Sequence, residues 1–456
     1  MKRALVIGAA RQGQALARYM AHHGAEVTVT DGKSYDELEA AREALSDIPV
    51  RWACGGHPLS LLDECDVLCV TGGADLRIPI IQEAFARNIP VLNDAAIFLS
   101  QVKNPIIAIT GSSGKTTTTT LVGRIAAAEA KGERKVWVGG NIGLAMLSFI
   151  DEIAPEDIVI LELSSFQLEI VKNSPHIGAI LNITPNHLDR HETMENYTAA
   201  KMNILTHQGS SDTAVLFREN PLCWEQRKKR NGSLFSFGFE KPETDEAEGA
   251  VWLENDTIKL KKNGETKSVM RVDEISLRGR HNVCNVMAAC AIAAAAGFTA
   301  ESMRAGVIGF GGVEHRLQFV RNYHGANWYN DSIATAPERT MAALHSFTEP
   351  LIMLLGGRDK KLPWGDLAEA LQTRARAVVL FGEAAPMICG ALADAQKENG
   401  PIVIQCGNLE EAVAEAGKIC QTGDVVLLSP GGTSYDAFVN FEERGKKFTE
   451  WVLNLQ

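Results

Sequence analysis

A chain of 456 residues, 45% hydrophobic and 22% charged, is long enough for two or three domains with separate cores. Lys plus Arg number 45 against 56 for Asp plus Glu, a formal charge of −11 that excludes a protein coating nucleic acid or an anionic membrane. Anions must therefore be bound locally, at clefts that gather cations. The nine cysteines, at 54, 65, 69, 223, 284, 290, 389, 406 and 420, form no C-x-x-C pair and mostly sit in apolar runs. That is the pattern of buried free thiols in a reducing cytoplasm.

In chain order, ALVIG (4–8) is too short for a secretory signal and predicts a strand. A helix is predicted over 14–22, followed by strands EVTVTD (26–31), DVLCVTGG (66–73) and IPVLN (89–93), a small doubly wound sheet. After Lys103-Asn104-Pro105 come IIAITG (106–111), IVILEL (158–163) and IGAILNIT (177–184). Between 233 and 277, alternations such as VWLENDTIKLKKNGETKSVMRV predict β-hairpins with Asn255-Asp256 and Asn263-Gly264 turns. An Ala-rich helix over 286–297 precedes Gly309-Phe310-Gly311-Gly312, and LIMLLGG (351–357), AVVLFG (377–382), IVIQC (402–406) and DVVLLSPGG (424–432) supply further strands. Short apolar strands joined by amphipathic segments make an α/β protein with parallel sheets. Three domains are expected: an N-terminal Rossmann-like one over 1–98, a central P-loop ATPase-type one with hairpins over 99–312, and a C-terminal Rossmann-like one over 313–456. No uncharged run approaches the ~20 apolar residues of a membrane span, so a soluble protein is expected.

The strongest motif is Ile109-Thr110-Gly111-Ser112-Ser113-Gly114-Lys115-Thr116, where a buried strand ends and a helix opens. There, backbone N–H groups and the helix N-terminus face a phosphate, Lys115 reaches the terminal phosphates and the Thr116 hydroxyl suits Mg²⁺. Ile109 stands where the full P-loop pattern has its first glycine; the other reading is a Gly/Ser turn with a solvated lysine. A nucleotide triphosphate site also needs metal ligands at neighbouring strand ends, and Glu162 and His187 are candidates. Gly8-Ala9-Ala10-Arg11-Gln12-Gly13 follows the first strand, and Asp31 closes the second, as in a dinucleotide fingerprint. Ala10 replaces its middle glycine, which disfavours a nicotinamide; a different nucleotide and a structural turn both remain open.

Taken together, GSSGKTT (111–117), GGNIG (139–143), ELSSFQLE (162–169), NITPNHLDRH (182–191), YTAAK (197–201), RGRHNVCN (278–285), EHR (314–316), NDS (330–332), GGRDK (356–360) and LLSPGGTSYDAFVNFEERG (427–445) resemble the Mur ligases of peptidoglycan synthesis, nearly end to end. ELSSFQLE (162–169) and the SPGGTSYDAFVNFEERG part of the last segment look most like the D-glutamate-adding members. The resemblance implies an ATP-dependent amide ligase that joins D-glutamate to UDP-N-acetylmuramoyl-L-alanine through an acyl phosphate, with Mg²⁺, as a cytoplasmic enzyme in a family that is usually monomeric. It implies that Gly111, Ser112, Ser113, Gly114, Lys115, Thr116 and Thr117 hold the phosphates of ATP, joined by Asn285, Arg316 near the phosphates and Asp331 near the ribose. Thr116 and Glu162 would ligate one Mg²⁺, and His187 and a carbamylated Lys201 a second. Arg11, Gln12, Asp31, Thr71, Gly73, Asn141 and His187 would meet the UDP-sugar, and Lys360, Ser434 and Phe441 the D-glutamate. The chain departs from the family at Ala10, at Thr71-Gly72-Gly73, at Asn93-Asp94-Ala95-Ala96 and at Ile333, where a lysine is common. A Mur-type ligase of other specificity, a folylpolyglutamate synthetase relative and a P-loop NTPase without ligase activity are the competing readings. The N-terminal Rossmann-like block speaks against the folate enzyme, and the third domain's own residue set against the plain NTPase.

Overall fold

A computed structural model describes residues 2–143, 145–243 and 246–456. The chain divides into two compact units, Met1–Phe310 and Gly311–Gln456. The first holds two sheets. Strands β1 (Arg3–Ile7), β2 (Glu26–Asp31), β3 (Val50–Cys54), β4 (Val67–Val70) and β5 (Val91–Leu92) form a parallel sheet in the order β3-β2-β1-β4-β5. Its topology reverses between β1 and β4, so the loops at Gly8 and Thr71 open side by side, the place where such sheets bind ligands. Gly13 is required here: a Cβ on it would stand 1.8 Å from the Gly8 carbonyl oxygen.

The larger sheet comprises β6 (Ile106–Thr110), β7 (Val136–Gly140), β8 (Ile158–Glu162), β9 (Ile177–Ile180), β10 (Thr213–Phe217), β11 (Ser233–Phe237), β12 (Gly249–Glu254), β13 (Thr257–Lys262) and β14 (Glu265–Arg271). Its order is β14-β13-β12-β11-β10-β9-β6-β8-β7. Every residue of β6, β8 and β9 is buried, as strands covered on both faces must be. Ala288 to Ala294, all small or apolar and all buried, let the helix Arg280–Ala295 pack closely on this sheet. Only part of the expected hairpin region is antiparallel. β11 pairs in parallel with both β10 and β12, and the meander starts at β12. Its turns are as expected: Asn255 and Asp256 lie at φ +48 and +54, Asn263 and Gly264 at +52 and +79, the left-handed pairs that two-residue hairpins need. The helix Asp94–Gln101 serves both cores. Ile97 packs with Val6, Leu16 and Val29, and Phe98 lies edge-on to Phe149 in the core of the larger sheet.

The second unit has the order β15-β16-β20-β17-β18-β19, from β15 (Gln318–Tyr323), β16 (Ala326–Asn330), β17 (Leu351–Gly356), β18 (Ala375–Phe381), β19 (Ile402–Gln405) and β20 (Val425–Gly431). β15 is antiparallel to β16, and the other pairs are parallel. No helix among the described residues is long and apolar enough to cross a membrane.

Candidate active site

At the carboxyl end of the larger sheet, β6 lies between β8 and β9, and the loops after these three strands converge. Gly114, at φ +80, turns the loop after β6 into the helix Lys115–Ala130; a Cβ there would stand 2.3 Å from Asn285 Oδ1. Asn285 thus lies against the loop it was expected to accompany. The Ser112 N–H donates to the Asn182 carbonyl (3.0 Å) and the Ser113 N–H to Asn182 Oδ1 (2.9 Å), fastening the loop to the segment after β9. Ser112 Oγ also pairs with Tyr197 Oη at 2.9 Å. Lys115 Nζ donates to the carbonyls of Gly111 (2.9 Å) and Ser112 (3.4 Å), which keeps its ammonium on the loop.

Glu162, at the end of β8, is 1% exposed. Asn141 Nδ2 donates to its Oε1 (2.8 Å), and the Asn141 N–H to its main-chain carbonyl (2.8 Å), yet Oε2 is buried with no hydrogen-bond partner. Such an oxygen costs about 1–3 kcal/mol, more when charged, unless a cation or donor meets it. Lys201, equally buried, donates to the Gly111 carbonyl (3.0 Å) and Thr110 Oγ1 (3.4 Å). Burial, and then the Lys115 ammonium, push Lys201 down to about 7, against the pull of Glu162. A large share of this amine is therefore neutral and nucleophilic near pH 7. His187 has left-handed backbone (φ +55), and its ring stands edge-on to Phe166 at 5.1 Å. Partial desolvation and Lys115 lower its pKa, which leaves a neutral imidazole with a lone pair for a metal.

These donors fit Mg²⁺. Among the described residues no group of three or more His, Cys, Asp or Glu gathers into a cage. An orphaned carboxylate oxygen, a hydroxyl and an imidazole beside a phosphate-type loop suit an ion that keeps several waters and takes phosphate oxygens.

The candidates for a sugar nucleotide come from both sheets of this unit. Arg11 Nη2 donates to the Gly143 carbonyl (2.8 Å), and a Cβ on Gly72 would lie 2.6 Å from Gln167 Cγ and 3.8 Å from Gln12 Oε1. Arg11, Gln12, the loop 71–73 and the loop of Asn141 are thereby neighbours. Asp31 accepts from the N–H groups of Ala9 (2.9 Å) and Lys33 (3.0 Å), so its carboxylate shapes the first loop.

In the second unit, Arg316 stands between His315 (φ +63) and Leu317 (φ +42), a turn that presents it to a cavity of about 260 Å³ shared with Asp331, Ile333 and Arg339. Asp331 accepts from the Leu317 N–H (3.2 Å) and Ser429 Oγ (2.9 Å). Lys360 Nζ meets Thr335 Oγ1 at 3.2 Å; reciprocal backbone bonds between Arg358 and Thr433 hold the Lys360 and Ser434 loops together. The Phe441 carbonyl accepts from Ser332 Oγ (2.8 Å). Arg444 is wholly buried, donating to Ser332 Oγ (3.0 Å), the Ser332 carbonyl (2.8 Å) and the Gly432 carbonyl (3.1 Å). Burial holds its pKa down near 10. Tyr197, Thr335 and Arg444 were assigned no role from the sequence. They lie inside or beside the motifs, but their partners are distant in the chain.

Burial raises the Asp331 carboxyl to about 7 from 3.8. The native state then binds this proton more tightly than the unfolded chain, so this group's contribution falls as pH rises from about 4 to 7. The shift corresponds to roughly 4 kcal/mol at most. Asp331→Asn is expected to be more stable than the parent in urea unfolding at pH 8 and to lose that advantage by pH 4; a difference independent of pH would contradict the assignment.

Three profiles of one family match in succession: Mur ligase MurD-like, N-terminal domain, over residues 2–93; Mur ligase middle domain, over 109–293; and Mur ligase, glutamate ligase domain, over 315–432. A UDP-N-acetylmuramoylalanine--D-glutamate ligase of Pelotomaculum thermopropionicum is 36% identical over 456 residues, 100% of this chain and 98% of that one. One of Symbiobacterium thermophilum is 37% identical over 453 residues, covering 99% and 98%. Among solved structures, MurF from Acinetobacter baumannii has a TM-score of 0.57 at 16% identity, over 98% of this chain and 94% of that chain, a likeness of fold. With relatives at this identity along its whole length, the chain belongs to the Mur ligase family, in its UDP-N-acetylmuramoylalanine--D-glutamate ligase branch.

Proposed function

We propose that this enzyme joins D-glutamate to UDP-N-acetylmuramoyl-L-alanine with conversion of ATP to ADP and phosphate, a step of peptidoglycan synthesis. Residues 1–98 take the UDP-sugar, 99–312 ATP and 313–456 the amino acid. A carboxylate is a poor acceptor for an amine, so an oxygen of the L-alanyl carboxylate first attacks the γ-phosphorus and ADP leaves. The D-glutamate nitrogen then attacks the carbonyl carbon of the acyl phosphate and loses a proton; phosphate departs with the former carboxylate oxygen.

The amides of 111–117 and Lys115 cradle the phosphates while two anions, carboxylate and γ-phosphate, are forced together. Asn285, against this loop, orients the nucleotide; Arg316 meets its phosphates and Asp331 its ribose. Arg11, Gln12, Thr71, Gly73, Asn141 and His187 hold the UDP-sugar, with Asp31 beneath the first loop. Lys360, Ser434 and Phe441 receive D-glutamate, the lysine facing a carboxylate. CO₂ adds to the neutral Lys201 amine with loss of one proton, so that an ammonium becomes a carboxylate-like ligand. Mg²⁺ bound by Thr116 and Glu162, and by His187 and the Lys201 carbamate, would neutralise charge on the phosphates and the acyl group. ATP and UDP-linked sugars are cytoplasmic metabolites, so the reading is of a cytoplasmic enzyme, acting as a monomer.

The observation that carries the proposal is the buried amine of Lys201, held near neutrality beside a phosphate-type loop and an orphaned Glu162 oxygen. ADP release with UDP-N-acetylmuramoyl-L-alanine, ATP and Mg²⁺, across a panel of D- and L-amino acids, tests it. D-Glutamate should exceed every other member; turnover with another amino acid instead would reassign the specificity, and turnover without any would leave an NTPase.

A further inference from the structure

The turn that carries His187 is held by contacts that the ligase reaction does not use. His187 (φ +55) opens the short helix Leu188–His191, and Glu192 (φ +67) follows it. Left-handed backbone at a non-glycine residue on both ends persists only where the surroundings impose it.

Arg190 imposes it from one side. Its guanidinium spans two main-chain carbonyls of the loop after β4: Nη1 donates to Gly73 (2.9 Å) and Nη2 to Ala74. The same guanidinium lies 4.7 Å over the Phe166 ring. Phe166 meets His187 in a T-shaped contact, its ring tilted 61° to the imidazole, and stacks nearly parallel, at 6°, on His191. From the other side His191, 4% exposed, shares a hydrogen bond with Ser165 Oγ (2.9 Å) and lies 3.2 Å from Glu169 Oε1. Arg77, on the same loop, also reaches this turn, pairing with Glu192 at 2.9 Å. Those two side chains are more than half exposed, and such pairs hold little. Arg190 differs, since its partners are carbonyls that no side-chain change can move and its planar fork suits two acceptors at once.

We propose that Arg190 is a positioning residue that registers the loop 71–77 against His187, so that the loop cannot shift without carrying the imidazole with it. The proposal rests on the reading of 71–73 as part of the UDP-sugar site and of His187 as a metal ligand. Seating the sugar nucleotide and placing the imidazole are then a single event, which would link acceptor binding to metal binding.

The test compares the full-length parent with Arg190→Ala, Arg190→Lys, Phe166→Leu and, as an exposed control, Arg77→Ala. In steady-state kinetics, Arg190→Ala should raise both the KM for UDP-N-acetylmuramoyl-L-alanine and the half-saturating Mg²⁺ about tenfold, with the KM values for ATP and D-glutamate within about twofold of the parent. Arg190→Lys should fail to rescue, because a point cation cannot bridge both carbonyls. Phe166→Leu should raise the Mg²⁺ requirement alone, and Arg77→Ala should match the parent.

Hydrogen exchange without substrates gives a readout independent of turnover: segments 71–77 and 187–192 should exchange faster together in Arg190→Ala and Arg190→Lys, and the rest of the chain should not. Unchanged exchange in both segments, full rescue by lysine, or all KM values moving in parallel would overturn the clamp. If Arg190→Ala does not fold, Arg190→Lys decides, since it keeps the charge and the stem. A parent that releases no ADP with the UDP-sugar would sink the functional reading, while the exchange data would still decide the clamp.

Discussion

Lys115→Ala is expected to lower kcat for ADP release by about 10²–10³-fold, the cost of removing one preorganised donor from a site of developing charge. The chemistry brings a carboxylate onto a γ-phosphate, and two like charges 4 Å apart repel by about 4 kcal/mol at a surface-like effective dielectric of about 20. The Lys115 ammonium is held on the loop by the carbonyls of Gly111 and Ser112, where it can offset that repulsion without reorganising. A second effect follows from its neighbour. Lys115 is the second cause, after burial, of the low Lys201 pKa, so its removal should let Lys201 hold its proton more firmly and form less carbamate. Lys115→Ala should therefore depend more steeply on added bicarbonate than the parent does. Activity within a few-fold of the parent, measured at saturating ATP, would contradict the cradle.

Lys201→Ala should cause a loss of similar size, about 10²–10³-fold in kcat if the carbamate acts as charge-stabilising ligand, and it should be partly reversed by millimolar formate or acetate. Truncation leaves a space beside Gly111 and Thr110, lined by the Tyr197 ring, that a small carboxylate can enter. CO₂ reacts only with the unprotonated amine, so between pH 6 and about 7 the parent should gain activity with pH as Lys201 gives up its proton. Native mass spectrometry should find one carbamate's added mass on the parent and none on Lys201→Ala. Inactivity of Lys201→Ala that no carboxylate relieves, or the absence of any labile adduct on the parent, would argue that the lysine is only a buried structural cation.

Much of the fold was legible because its central strands are short, mainly apolar runs ended by loops: β1, β2, β6, β8 and β9 all stand where ALVIG, EVTVTD, IIAITG, IVILEL and IGAILNIT predict them. The strands that sequence reasoning overlooked have physical reasons. β3 is an edge strand with no buried residue, β7 ends in two glycines, and β15, also an edge strand, has no buried residue either and exposes Phe319 and Asn322. β10 was within reach, since TAVLF is an apolar run, but it follows the polar stretch HQGSSDT. Ser233–Phe237 falls in the stretch whose alternation predicts hairpins and is a parallel strand, as its nearly complete burial demands. In the site, the loop around Lys115 could be read because its glycines and lysine are contiguous. The Ser112–Tyr197 pair and the three acceptors of Arg444 could not, because they join residues 85, 112 and 12 positions apart.

The net charge of −11 takes on meaning from these clefts. Both proposed substrates and ATP are anions, and the chain repels polyanions in general while placing Lys115 and Lys360 after the buried strands β6 and β17 and Arg316 in the turn before β15. Oxygen transfer tests the central claim most directly. With UDP-N-acetylmuramoyl-L-alanine labelled with ¹⁸O in its L-alanyl carboxylate, turnover in the presence of D-glutamate should deliver one labelled oxygen into each phosphate released, because the acyl phosphate hands its bridging oxygen to the leaving group. Unlabelled phosphate would mean that water, not the carboxylate, attacks ATP, and the account of this enzyme as a ligase acting through an acyl phosphate would be wrong.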